Sequence, residues 1–361
     1  MLLINGPPGR GERPAGRNMS STAIVAERSG KELIAATKPF AEESRARSWW
    51  YFLSTLAVVG MLAALGARAP WWPLRLAASV LEGLVIVRVF ILYHDHLHSA
   101  LLRNSSVAKW IMYAYGIVVL TPPTVWRSTH NYHHAHTAKI VGSHVGSYAM
   151  VTVDMWRQLT PTQRLMYKVT RHPLNILFAY FTVFAFGMCV SAFLRNRRKH
   201  WDALVSIVVH VTLSAAIAVL AGVDVWIYTL FVPTFVACAS GAYLFYVQHN
   251  FPDVYVQPRE SWSYDRAALE SSSYLEMGTV MNWLTGNIGY HHVHHLNPTI
   301  PFYRLPEAMA AMPELQHPPK STLRPRDVAA AFRLKLWDPA VGKMVGYPRE
   351  DEARHGRVAA A

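Results

Sequence analysis

The strongest constraint on this chain is a set of apolar runs about as long as a bilayer's hydrocarbon core is thick. Trp49 and Trp50 precede "YFLSTLAVVGMLAALGARAP", and Trp71 and Trp72 follow it. About 20 apolar residues between two tryptophan pairs fit a transmembrane helix with an aromatic belt at each interface. A second run, 73–93, ends directly at "HDHLH" and carries Arg75, Glu82 and Arg88. Charges inside such a run face protein or snorkel to the interface, so structural pairing is expected for them. Further apolar stretches lie at 107–120, 173–194, 203–221 and 226–248. Charged residues make up 16% of the chain, against about 25% in soluble domains. The expected fold is an all-α integral membrane protein.

Histidine placement limits how these stretches cross. If every one spanned, the histidines at 94–98 and 130–134 would fall on opposite faces. A shared site therefore requires 107–120 to be re-entrant or interfacial. The basic run "RNRRKHW" at 195–201 belongs on the cytoplasmic side by the positive-inside rule, so 173–194 reads as an interfacial or hairpin segment. Four spans remain, with both termini and every histidine group on the cytoplasmic side of, most simply, a bacterial inner membrane. The net charge of +13 lies between apolar spans rather than along one polar face, which argues for anionic lipid and against nucleic acid. The expected division is an N-terminal cytoplasmic segment at 1–48, a membrane domain at 49–310 and a cytoplasmic tail at 311–361. The Pro-, Gly- and Arg-rich start reads as disordered, with Met19 an alternative initiator. Cys189 and Cys238 sit in apolar runs without a CxxC, which argues against disulfides and thiolate ligands.

Three histidine groups adjoin these runs: His94 and His98; His130, His133 and His134; and His291, His294 and His295. Positions i, i+3 and i+4 of a helix fall within an arc of about 100°, so each group aims its rings from one face. His96 and His292 point elsewhere, and His136 lies at the edge. His249 ends the last span and brings the set to nine. One such group alone is as well explained as a polar helix face. Three in order, each at a membrane edge, point to metal. Asn287, four residues before His291, is expected on the same face, holding a water at the metals. His144, His172, His200, His210, His317 and His355 stand alone and are given no role.

All-imidazole coordination suits zinc, copper, iron or nickel. HExxH is absent, and hydrolytic zinc sites use three ligands with a carboxylate base. Nine imidazoles at a membrane surface favour two iron ions and dioxygen, with a buried hydrocarbon as substrate. An unactivated C–H bond gives an acid or base nothing to grip.

The order HxxxH, HxxHH, HxxHH resembles the integral-membrane fatty acid desaturases, with "HDHLH", "WRSTHNYHH", "YVQHNF" and "TGNIGYHHVHHLNPTIPFYRLPEA" matching in sequence over 75–310. It is most similar to the bacterial and cyanobacterial acyl-lipid type. The resemblance implies a di-iron site on His94, His98, His130, His133, His134, His249, His291, His294 and His295. It also implies oxygen-dependent removal of two hydrogens from an acyl chain, with two external electrons and two waters formed. In relatives of the acyl-CoA type an asparagine four residues before the extra histidine holds a water. Phe245 stands there in this chain, and Asn287 is the expected substitute.

Arg127 and Arg171 are candidates for the headgroup of a membrane lipid or acyl thioester. No "HPGG" haem signature is present, so electrons are expected from ferredoxin or a cytochrome or reductase. Arg195, Arg197, Arg198 and Lys199 suit either an acidic carrier or lipid phosphate. The rival within the same chemistry is a carotenoid or sphingolipid hydroxylase or ketolase. The rival of another class is a metal transporter, which would place its ligands mid-membrane.

Overall fold

The computed structural model describes residues 28–140 and 145–348. The stretch read as a disordered start, Met19, His144 and His355 fall outside them. Four helices are long and apolar enough to cross a membrane: Arg45–Arg68, Trp72–Leu97, Trp201–Leu220 and Val223–Val247. These are the four runs expected. At 1.5 Å per residue they are roughly 30–39 Å long, enough for the hydrocarbon core. Their outer faces expose Trp50, Met61, Trp71, Trp72, Val219 and Leu220, as lipid contact requires.

The second long helix is central and packs against the first and fourth. Gly83 makes the second contact possible, because a Cβ there would lie 2.6 Å from Val236 Cβ. The fourth helix opens through a π-turn at Ile227–Phe231 before Pro233, whose missing N–H cannot close a regular turn. The third helix packs on Ser106–Val118 and on the π-wound segment Tyr180–Ser191. Ser106–Val118 has 13 residues, about 20 Å of helix, too short to span. Its flanking histidines meet in space, so it enters and leaves at one end of the bundle. The 173–194 stretch does the same, since the next long helix starts at Trp201, where Asp202 meets Thr124 at the histidine end.

The charges in the second helix are held differently from one another. Arg75 pairs with Asp224 at 2.9 Å, as expected. Arg88 finds no carboxylate. It donates to Thr55 Oγ1 (3.1 Å) and the Trp283 carbonyl, beneath the rings of Trp283 and Phe302. Glu82 is buried, and its Oε2 has no partner among the described residues.

Segments outside the long helices cover the histidine end. Gly30–Ala36 places Leu33 against Val293, Leu296 and Leu305. Lys320–Thr322 pairs in parallel with Tyr274–Glu276, and Leu336–Asp338 pairs antiparallel with Lys343–Val345. Trp337 is buried against Phe251 and Val254, and Ala331 joins the central core.

Candidate metal centre

The second long helix ends at Leu97, so His94 lies in its last turn and His98 caps it. The second group lies on Pro123–Ala135 and the third on His291–Leu296. His249 follows the fourth long helix by two residues. The buried Asp202 fixes the approach of Pro123–Ala135, accepting from the Thr124 N–H (2.8 Å) and hydroxyl (2.6 Å). A carboxylate at that N-terminus satisfies an orphan donor and complements the helix dipole. Asp202→Ala is expected to lower stability by about 1–2 kcal/mol, read as a lower thermal midpoint in detergent.

Four chain segments thus deliver nine imidazoles as two groups. One comprises His94, His98, His130, His134 and His294; the other comprises His133, His249, His291 and His295. Within each group the ligand nitrogens all lie within 4.8 Å of one another. In the first, His94 Nε2 stands 2.8 Å from His130 Nε2, and His134 Nε2 lies 3.1 Å from both His130 Nε2 and His294 Nε2. In the second, His249 Nε2 is 3.1 Å from His133 Nε2 and 3.0 Å from His291 Nε2, which is 3.1 Å from His295 Nε2.

Three of the rings are fixed by a partner on Nδ1, which turns a lone pair on Nε2 inward. His249 Nδ1 is 3.0 Å from the Ser271 carbonyl, which can only accept, so the proton is on Nδ1 and Nε2 presents a lone pair. The Thr137 hydroxyl donates to the His133 carbonyl (2.9 Å) and so accepts from His295 Nδ1 (3.2 Å), which fixes that ring likewise. His94 Nδ1 donates to the Asp95 carboxylate at 3.0 Å. Lone pairs converging at about 3 Å repel unless a cation lies between them. With metal–imidazole bonds of about 2.1 Å, neighbouring nitrogens stand about 3.0 Å apart at right angles and about 3.4 Å apart in a tetrahedron. The observed spacings are those of nitrogens gathered around a common metal ion in each group.

Electrostatics agree. Burial first, and neighbouring imidazoles second, hold His130, His133, His134, His291, His294 and His295 well below the ordinary imidazole value. Burial pushes His249 down to about 4. All are neutral at physiological pH, the form that ligates metal.

The other box-adjacent histidines turn away, as their spacing implied. His96 Nδ1 donates to the Leu101 carbonyl, His136 stacks on Tyr132, and His292 Nε2 donates to the Leu315 carbonyl. Two expectations are corrected. Asn287 lies before the third helix with φ 54°, and its Nδ2 donates to the Phe302 carbonyl at 3.1 Å, so it does not share a helical face with His291. Arg171 is 1% exposed, donating to the Ala149 carbonyl and to Asn250 Oδ1, and so is not at a headgroup surface. Arg127 is exposed on the second-box helix. Phe245 packs 5.0 Å from the His133 ring, where an asparagine would have reached toward the site.

Sequence reading missed Asp95 and Thr137. Asp95 also accepts the Phe302 N–H at 2.7 Å, tying the first box to the segment after the third. Thr137 stands four residues after His133, the spacing at which a threonine hydroxyl bonds back to a helical carbonyl.

An apolar cavity of about 630 Å³ begins at these rings. His94, His130 and His291 belong to its lining, and Phe90, Val119, Phe184 and Gly241 are among its apolar walls.

The fatty acid desaturase family model matches residues 69–326. The chain is 33% identical over 271 residues to a fatty acid desaturase of Bacillus subtilis (strain 168), covering 73% of this chain and 75% of the relative. It is 24% identical over 281 residues to an sn-1 oleoyl-lipid 12-desaturase of Synechocystis, covering 76% and 78%. A similar match, 24% over 282 residues covering 74% and 75%, is to an sn-1 acyl-lipid omega-3 desaturase (ferredoxin) of Nostoc. These relatives are desaturases, and the hydroxylase and ketolase reading finds no support among them. The chain belongs to the fatty acid desaturase family, a family of oxidoreductases.

Proposed function

We propose that this chain is an acyl-lipid desaturase whose nine imidazoles hold two iron ions, five on one and four on the other. It inserts a double bond into an acyl chain of a membrane lipid, with dioxygen as cosubstrate. The observation that carries this reading is the cavity: about 630 Å³ of mainly apolar space meeting His94, His130 and His291. Bound there, the irons would supply the oxidising power that an unactivated C–H bond demands. The protein's residues do the rest. The cavity walls align the chain and keep water from it. Asp95, Thr137 and the Ser271 carbonyl hold three rings with Nε2 inward.

Acyl lipid as substrate and ferredoxin as donor are supported by the descriptions of the cyanobacterial relatives; a cytochrome or reductase is the alternative donor. Residues 49–310 would form the membrane domain in a bacterial inner membrane, four spans deep. The basic run at 195–201, beside the histidine end, supports a cytoplasmic active site.

The test is lipid profiling. The chain is expressed in a host with ferredoxin and monounsaturated lipids, beside His294→Ala. A new double bond made only by the intact chain is the expected result. Unchanged acyl chains with an oxygenated carotenoid would overturn it.

A further inference from the structure

The stoichiometry of the proposed reaction leaves a demand that the metal ligands do not meet. Two waters contain four hydrogens, of which the acyl chain gives two. The others arrive as protons with the two external electrons: O2 + 2e− + 2H+ + –CH2–CH2– → –CH=CH– + 2H2O. Ring nitrogens that ligate metal would have no lone pair left to carry a proton. A proton path must therefore reach the site from another side.

A second, smaller cavity meets that need. It has a volume of about 30 Å³ and borders His133 and His249 of the four-histidine group. Ser147, Tyr148, Arg171 and Asn250 also line it. Its volume accommodates one or two waters, and its polar lining offers the two to four partners a buried water needs. Two of those groups lack any other partner among the described residues: the Tyr148 hydroxyl and Arg171 Nε are both buried and unsatisfied. An unsatisfied buried donor costs about 1–3 kcal/mol, so groups like these call for water or a ligand. Arg171 makes no ion pair among the described residues, and its positive charge would orient a water with its oxygen toward the guanidinium. Tyr148 also lines the large acyl cavity, so it stands where the two spaces meet. Burial pushes the Tyr148 phenol up, which keeps it an O–H donor. On the outer side, residues 145–150 are half-exposed throughout, one layer from solvent.

We propose that this cavity holds an ordered water positioned by Tyr148 and Arg171, and that protons reach the histidine site through it. Protons hop along the hydroxyl and the water, each group giving up one as it accepts another, so neither changes its net charge. The role in turnover rests on the desaturase reading above; the water site does not.

Tyr148→Phe removes the hydroxyl and keeps the ring packed on Tyr246 and Phe245. High-resolution structures of the full-length parent and of this variant, as purified, provide the first readout. Density for a water between Tyr148 and Arg171 in the parent, lost or displaced in the variant, is expected. Density for a bound anion beside Arg171, or dry apolar packing, would overturn the proposal. The second readout is turnover in H2O and D2O at equal iron content. The variant is expected to fall about tenfold or more, with a larger solvent isotope effect than the parent. An unchanged rate and isotope effect would overturn the relay. A parent that makes no double bond in any lipid would overturn the desaturase reading instead, leaving the water site to the structural readout.

Discussion

His294→Ala is expected to abolish desaturation and strip most of the iron, whereas His292→Ala, two residues away, should leave the iron in place. The two side chains share a six-residue helix, His291–Leu296, and both are buried. They differ in direction. His294 Nε2 faces His134 Nε2 at 3.1 Å inside the five-histidine group. His292 Nε2 donates to the Leu315 carbonyl at 3.1 Å. Losing the former takes a ligand from the metal; the metal's charge stabilisation is worth several kcal/mol, so activity should fall by at least about a hundredfold. Losing the latter leaves a buried carbonyl unpaired, a stability cost of about 1–3 kcal/mol. Metal analysis of the purified proteins, with thermal midpoints, separates the two. Equal iron loss in both variants would mean that the helix had unfolded and that ligand direction had not been tested. A His294→Ala protein with full iron would sink the ligand assignment. His249→Ala belongs beside them. It belongs to the smaller group, so one loss leaves three imidazoles, and it should shed iron at least as readily as His294→Ala.

The features legible in the sequence are those set by local periodicity and by hydrophobicity. The four spans could be read because length and apolar content are properties of contiguous residues. The box histidines could be read because i, i+3 and i+4 share a helix face wherever that helix packs. His292 was excluded by the same arithmetic.

What could not be read depends on partners far along the chain. Arg171 looks like a surface cation beside a membrane segment. Its burial is imposed by Asn250, 79 residues away, and by the Tyr246 ring at 5.2 Å. Asn287 failed because helical spacing was assumed through a segment that turns at φ 54° before the helix begins. Arg88 was expected to be paired inside the protein, but its partners, the Thr55 hydroxyl, the Trp283 carbonyl and two aromatic faces, come together only once Trp283 and Phe302 have folded over it. Trp337 and Ala331, late in the chain, complete apolar cores begun elsewhere, through contacts that no local pattern foretells.

Gly241→Leu should retain iron and fold yet lose desaturation of long acyl chains. Gly241 lies inside the Val232–Val247 helix and lines the large cavity. A Cβ built there meets no atom within 4 Å, so the first carbon is accommodated and a longer side chain can project toward the cavity. Leucine is the better helix former by roughly 0.8–1 kcal/mol, so stability should hold or rise. The cost falls on the substrate. Eight residues separate Gly241 from His249, about 12 Å of helical rise, so the new side chain blocks the cavity well away from the metals. A chain that must pass this point loses its alignment at the oxidised carbons, and a misplacement of about 1 Å costs on the order of a hundredfold in rate. Shorter chains that end before it should be spared, so the ratio of short to long unsaturated products should rise. Gly241→Ala, with a single methyl, should fall between parent and leucine variant. Fatty acid profiling of the three proteins at matched iron content reads all of this in one experiment. Unchanged profiles would mean that the acyl chain lies elsewhere, along an outer face of the helices, and that this cavity does not select it.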